Sequence, residues 1–235
     1  MSILPIDTGR YGTKEMLDIF REQKKIDYQL DIEAAAALSQ SEIGLIPLSI
    51  ARDISKIAKS GKITAKRIKQ LEAKSDHDTA ALVEALAEKC NKESRPWIHY
   101  GLTSNDLVDT SNSMQMRDAI KIIQPKVSKL SLLLSKNAIK HRSVPAVGRT
   151  HGQHASIISF GLKFANWAAE MSTHLERLDE IKKRVLICKT LGVVGTGSLM
   201  GKNAVKVQER VAKKLGLYSA KVTTQIIPRE RYAEY

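Results

Sequence analysis

The stretch "ASIISFGLKFANWAAEMSTHLERLDEIKKRVLIC", residues 155–188, decides the fold. It contains one glycine and no proline. Ile157, Phe164, Met171, Leu178 and Val185 recur at one heptad position. Phe160, Trp167, His174, Ile181 and Cys188 recur at the other. That spacing predicts one helix with an apolar seam from Ala155 to Cys188. At 1.5 Å per residue, ~34 residues span ~50 Å. A small domain cannot bury such a rod by itself, so a bundle shared between subunits is the expected solution.

Working outward, most of the chain reads as helix. Residues 13–40 open with Thr13 as a cap and run without a breaker. Residues 75–90 form a shorter helix with Leu82, Val83 and Leu86 on one face. "SRPWIHYGL", 94–102, interrupts the pattern through Pro96 and Gly101. A long helix follows from about Thr103 to Lys140, with a kink expected at Pro125. "RSVPAVGRTHG", 142–152, reads as loop. A helix at about Ala204–Leu215 precedes the closing segment, in which Pro228 suits the first turn of another helix. The fold class is therefore all-α.

The charge balance narrows the partners. There are 38 basic and 25 acidic residues, a net charge of +13, so the surface attracts anions. Its densest basic stretch is "SKIAKSGKITAKRIKQ", 55–70, spaced along two short helices. This is either a solvated face or a nucleic-acid surface. Aromatic residues make up only 5%, which argues against recognition by base stacking. No run of about 18 apolar residues predicts a membrane span, and the N-terminus lacks a secretory signal. Cys90 and Cys188 form no CxxC, so they read as buried thiols in a reducing compartment.

Three polar clusters sit at helix boundaries. Thr103 and Ser104, in "HYGLTSNDLVDT" (99–110), can cap the helix they precede. The free N–H groups there also suit a carboxylate or phosphate, with His99 and Asp106 close in sequence. In "GRTHGQHA", 148–155, two glycines bracket Arg149–His151. A metal needs three or four ligands, and no HExxH or cysteine cluster supplies them. An acid–base role for His151 fits better, with His154 a lesser neighbour. His77 opens a third cluster. The glycine-rich "GVVGTGSLMGKN", 192–203, lacks the Gly-Lys-Ser/Thr ending of a P-loop, and no strand is expected before it.

"HYGLTSNDLVDT" followed by "GRTHGQHA" resembles the fumarase/aspartase superfamily of lyases. "RYGTKEM", the His77-Asp78 pair and the "TTQ...PRERYAEY" close are similar to its purine branch. That branch eliminates fumarate from adenylosuccinate and from the succinyl-carboxamide imidazole ribonucleotide. The resemblance covers essentially the whole chain. It implies a small helical N-terminal domain over 1–102 and a long-helix bundle domain over 103–235, left incomplete. It implies His151 as general acid, and Thr103 and Ser104 holding the succinyl part. Arg10 and Tyr11 would contact the nucleotide phosphate. His77, Asp78, Gln225 and Arg229 would bind substrate, with Arg231 a further anion-binding candidate. Many relatives carry Arg before the histidine where this chain has Asp76. The implied assembly is a cytoplasmic homotetramer whose sites draw on three subunits, with no metal, no cofactor and no nucleic acid.

The family's base is a serine on a Gly-Ser-Ser-x-Met-Pro-x-Lys-x-Asn-Pro loop, which these residues lack; a third, C-terminal domain is also absent. The expectation is a fragment, inactive alone. Rival readings are another lyase of the superfamily, a basic helical nucleic-acid-binding protein, or a scaffold that kept the bundle and lost catalysis.

Overall fold

A computed structural model describes residues 11–235. It divides into two compact units. One gathers the described residues up to Asp118 with Lys183–Tyr235; the other is Ala119–Lys182.

In the first unit, α1 (Lys14–Phe20) and α2 (Glu22–Ser41) replace the single expected helix. Arg21 between them is extended. Sequence shows no breaker there; the boundary is set by tertiary bonds. Gln23 donates to the Ile63 carbonyl (3.0 Å) and accepts from the Ala65 N–H (2.8 Å), pinning the start of α2. Thr13 caps α1 with its carbonyl, which accepts from Met16 and Leu17, and not with its hydroxyl. The alanine run 34–37 of α2 is buried, which lets neighbouring helices approach closely. α2 packs against α3 (Leu48–Ala58) and α8 (Ala204–Leu215). α4 (Ala65–Ser75) packs on α5 (Asp78–Ala87), with Leu82 and Leu86 in the core. Asp76 closes α4 in the left-handed region (φ 52°), a conformation that aspartate tolerates better than arginine.

α6 runs from Ser104 to Lys140, and Pro125 lies inside it without ending it. The closing segment ends in α9 (Glu230–Ala233).

In the second unit the expected loop is a hairpin. β1 (Pro145–Thr150) pairs antiparallel with β2 (Gln153–Ser159), with a register shift at Gly148/Arg149. His151 (φ 52°) and Gly152 (φ 73°) make the two-residue connection. Two consecutive positive φ angles give the twist that a tight hairpin needs. α7 therefore spans Phe160–Val185, not 155–188, and rises about 39 Å. Ile157, placed on the seam by the heptad, is an exposed strand residue, and Cys188 belongs to strand β3 (Ile187–Cys188). Gly161 lies where α7 meets α6: a Cβ there would collide with the Ala138 carbonyl oxygen. His141 packs its ring on Phe160 and Phe164.

β3 pairs parallel with β4 (Tyr218–Ser219), so a short strand does precede the glycine-rich turn. Both cysteines are buried, and burial pushes each thiol up to about 12. No helix of the described residues is long and apolar enough to cross a membrane.

Candidate functional site

The start of α6 is fixed by a reciprocal cap. The Asp106 N–H donates to the Thr103 carbonyl (2.9 Å), and the Thr103 N–H donates to the Asp106 carboxylate (3.0 Å). The bond from the Thr103 N–H to Asp106 is the third-position half of a capping box, with aspartate in place of glutamate. The box leaves the N–H groups of Ser104 and Asn105 without carbonyl partners among the described residues. These donors, with the positive end of the helix dipole, favour an anion.

A cleft of about 410 Å³ opens at this junction. Its lining is His77, Thr79, Ala80, Val83, His99, Leu102, Thr103 and Ser104. The sequence-predicted His77, Thr103 and Ser104 thus share one wall. His77 is the N-cap of α5: its Nδ1 accepts from the Ala80 N–H (3.2 Å), which leaves the ring proton on Nε2. Asp78 accepts from the Thr79 N–H (2.6 Å).

His99 lines the same cleft in the left-handed region (φ 62°). Glu33, buried on α2, holds it twice. One carboxylate oxygen accepts from the His99 N–H (3.0 Å), and the other lies 2.6 Å from Nδ1. Burial opposes a charge on this ring. The Glu33 carboxylate, with Asp106 behind it, outweighs burial and raises the His99 pKa above its ordinary 6.5. The stability this adds is fully present below the unfolded value and disappears as pH rises through the higher folded value. His99→Asn should therefore remove a fall in urea midpoint that the unaltered chain shows above about pH 6.5. An NMR titration of His99 at or below 6.5 would contradict this.

Beneath the cap lies an ion pair that sequence reading missed. Lys189 Nζ donates to Asp106 Oδ1, and both side chains are fully buried. Lys189 also donates to the Gly192 carbonyl (3.2 Å), and the Gly192 N–H donates back to Asp106 (2.9 Å). The lone lysine in the apolar run "VLICKTLGVV" was the available signal.

Asp109, one turn further along α6, was missed too. It accepts from the Ile227 N–H and from Arg229 Nη1, both at 2.7 Å. Arg229 is thus engaged with a buried carboxylate, and Arg231 donates to the Arg184 carbonyl. Gln225 is exposed in a bend nearby in sequence, and Tyr11 is exposed at the start of the described residues; Arg10 lies outside them.

His151 belongs to the second unit. It is exposed at the hairpin tip, on positive-φ backbone that holds it outward. His154 lies on β2, not at a helix start, with Arg149 Nη2 3.2 Å from its Nε2. Among the described residues, no group of three or more His, Cys, Asp or Glu is gathered to hold a metal.

The comparisons with known proteins extend these observations. A family model described as lyase matches residues 9–235. Adenylosuccinate lyase from Methanocaldococcus jannaschii is 43% identical over 235 residues, covering 100% of this chain and 51% of the relative. The enzyme of the same name from Methanothermobacter thermautotrophicus is 40% identical, covering 100% and 52%. The chain thus spans about half the length of the curated relatives it matches. A fumarate lyase structure from Mesorhizobium sp. BNC1 superposes with TM-score 0.88 at 30% identity, covering 95% of this chain and 53% of that one. The β-carboxy-cis,cis-muconate cycloisomerase of Acinetobacter calcoaceticus sp. ADP1 gives 0.89 at 28%, covering 97% and 54%. Sequence and fold agree over nearly all of this chain: it belongs to the lyase family, within the fumarase/aspartase superfamily.

Proposed function

We propose that the chain supplies the carboxylate-holding wall and the general acid of an adenylosuccinate lyase. The observation that carries this reading is the cleft in which Thr103, Ser104 and His77 line one wall at the start of α6. The similarity to archaeal enzymes of that name gives the substrate class.

Elimination of fumarate begins with removal of a proton from the carbon beside a carboxylate. The electron pair moves onto that carboxylate, which gains charge. The Ser104 and Asn105 N–H groups and the Thr103 and Ser104 hydroxyls would stabilise it there, because donors already in place need no reorganisation. The C–N bond then breaks, and the departing nitrogen takes a proton. His151 is the proposed donor, since histidine is the side chain most often used to hand a proton to a leaving group. Tyr11, Gln225 and, outside the described residues, Arg10 are assigned to the nucleotide part. Arg229 is assigned to hold its segment through Asp109 as well as to face the substrate. The base is the serine of the family's flexible loop, whose sequence does not occur in these 235 residues. We place the working form in a cytoplasmic homotetramer with shared sites and no metal or organic cofactor.

The test joins this chain to the half of the Methanocaldococcus jannaschii relative that it does not cover. The chimera should release fumarate from adenylosuccinate, while the 235-residue chain alone should not. Turnover of a carboxymuconate with no turnover of adenylosuccinate would reassign the chain to another reaction on the same fold.

A further inference from the structure

The cap at the α6 start poses an electrostatic problem. Asp106 fastens Thr103 through a 3.0 Å hydrogen bond, so a carboxylate sits directly behind the residues proposed to hold a dianion. Left alone, its charge would repel that ligand across a medium that screens poorly. The structure places one cation against it: Lys189, fully buried, in contact with Asp106 Oδ1.

We propose that Lys189 is a positioning residue that cancels the charge of Asp106, so that one carboxylate can order the α6 start without opposing a dicarboxylate ligand. The inference rests on the proposed function of this cleft. Three features support it. Lys189 reaches Asp106 from a separate segment, just after β3, and among the described residues its Nζ is otherwise engaged only by the Gly192 carbonyl. Its backbone is locked as well: the Lys189 N–H donates to Thr110 Oγ1 (3.1 Å), and Thr110 donates to the Lys189 carbonyl (3.0 Å). The other buried carboxylate at this cleft, Glu33, is likewise matched, by His99. His77 and Asp78, also at the junction, are both exposed and lie against each other at 3.6 Å.

The two roles of Asp106 can be separated. An asparagine side-chain oxygen can still accept from the Thr103 and Gly192 N–H groups but carries no charge. The experiment titrates fumarate into the folded chain, followed by amide NMR. At alkaline pH, where Asp106 stays ionised without its partner, Lys189→Met should weaken binding by about tenfold or more, because the Asp106 charge is then uncancelled. Adding Asp106→Asn to it should restore binding to within about threefold of the unaltered chain, because both charges are gone and the cap is kept. If Lys189→Met alone does not fold, Asp106→Asn decides: it should bind fumarate at least as tightly as the unaltered chain. Equal binding by folded Lys189→Met and the unaltered chain overturns this inference alone. So does a folded double variant, or Asp106→Asn, that binds as poorly as Lys189→Met is expected to. Absence of binding by the unaltered chain overturns the reading of the cleft and this inference with it.

Discussion

Lys189→Met is expected to destabilise the unit that carries the α6 start by about 3–5 kcal/mol, the range found when one partner of a buried ion pair is removed. The burial is complete on both sides, so water cannot replace the lost ammonium at Asp106. Burial already pushes the Asp106 carboxyl upward, and Lys189 with the Gly192 and Thr103 N–H groups is what holds its charge. The Gly192 carbonyl loses a donor in the same step. Methionine fills similar volume, so the loss is electrostatic and not a cavity effect. Urea unfolding followed by circular dichroism measures it. Asp106→Asn in the same chain should recover much of the loss, since the stranded charge is removed. A loss below about 1 kcal/mol would mean that the pair contributes no more than an exposed one.

His151→Ala in the active chimera is expected to slow fumarate release by about 10²–10⁴-fold, the span of general acid catalysis by a positioned side chain. Thermal stability should stay unchanged. His151 is exposed at a hairpin tip, so alanine there removes chemistry with little change in packing. Gly152 beside it has open space where a side chain would be, which leaves room for a ligand to approach the backbone. An unchanged rate would exclude His151 as the acid. A large loss of stability would show that the hairpin tip is structural.

The long α6, the short helices and the Thr103–Ser104 helix start were legible because their signals are local; that His77 lines the same cleft was not. A Thr-x-x-Asp cap, a Pro-Gly interruption and the helix periodicity each lie within a few residues. The hairpin was misread because the heptad count was carried back through Ile157, although "PAVGRT" and "QHASIIS" flank a His-Gly pair able to form a tight turn. On α7 the seam is the better-covered face, with Ile181 and Val185 buried, while Trp167 and Leu162 are exposed. The ion pairs Asp106–Lys189 and Asp109–Arg229 join residues 83 and 120 positions apart, and no local pattern encodes such a pairing. The same holds for Glu33 on His99, 66 positions away.

The central claim is that the α6 start holds a dicarboxylate. The direct measurement is a fumarate titration of the isotope-labelled chain, with the Thr103→Val/Ser104→Ala double variant beside it. The account predicts saturable amide shifts centred on Thr103, Ser104, Asn105 and Asp106 that need a much higher fumarate concentration in the variant, which keeps the N–H groups but not the hydroxyls. Shifts confined to the lysine-rich residues of 55–70, or unaltered in the variant, would contradict it.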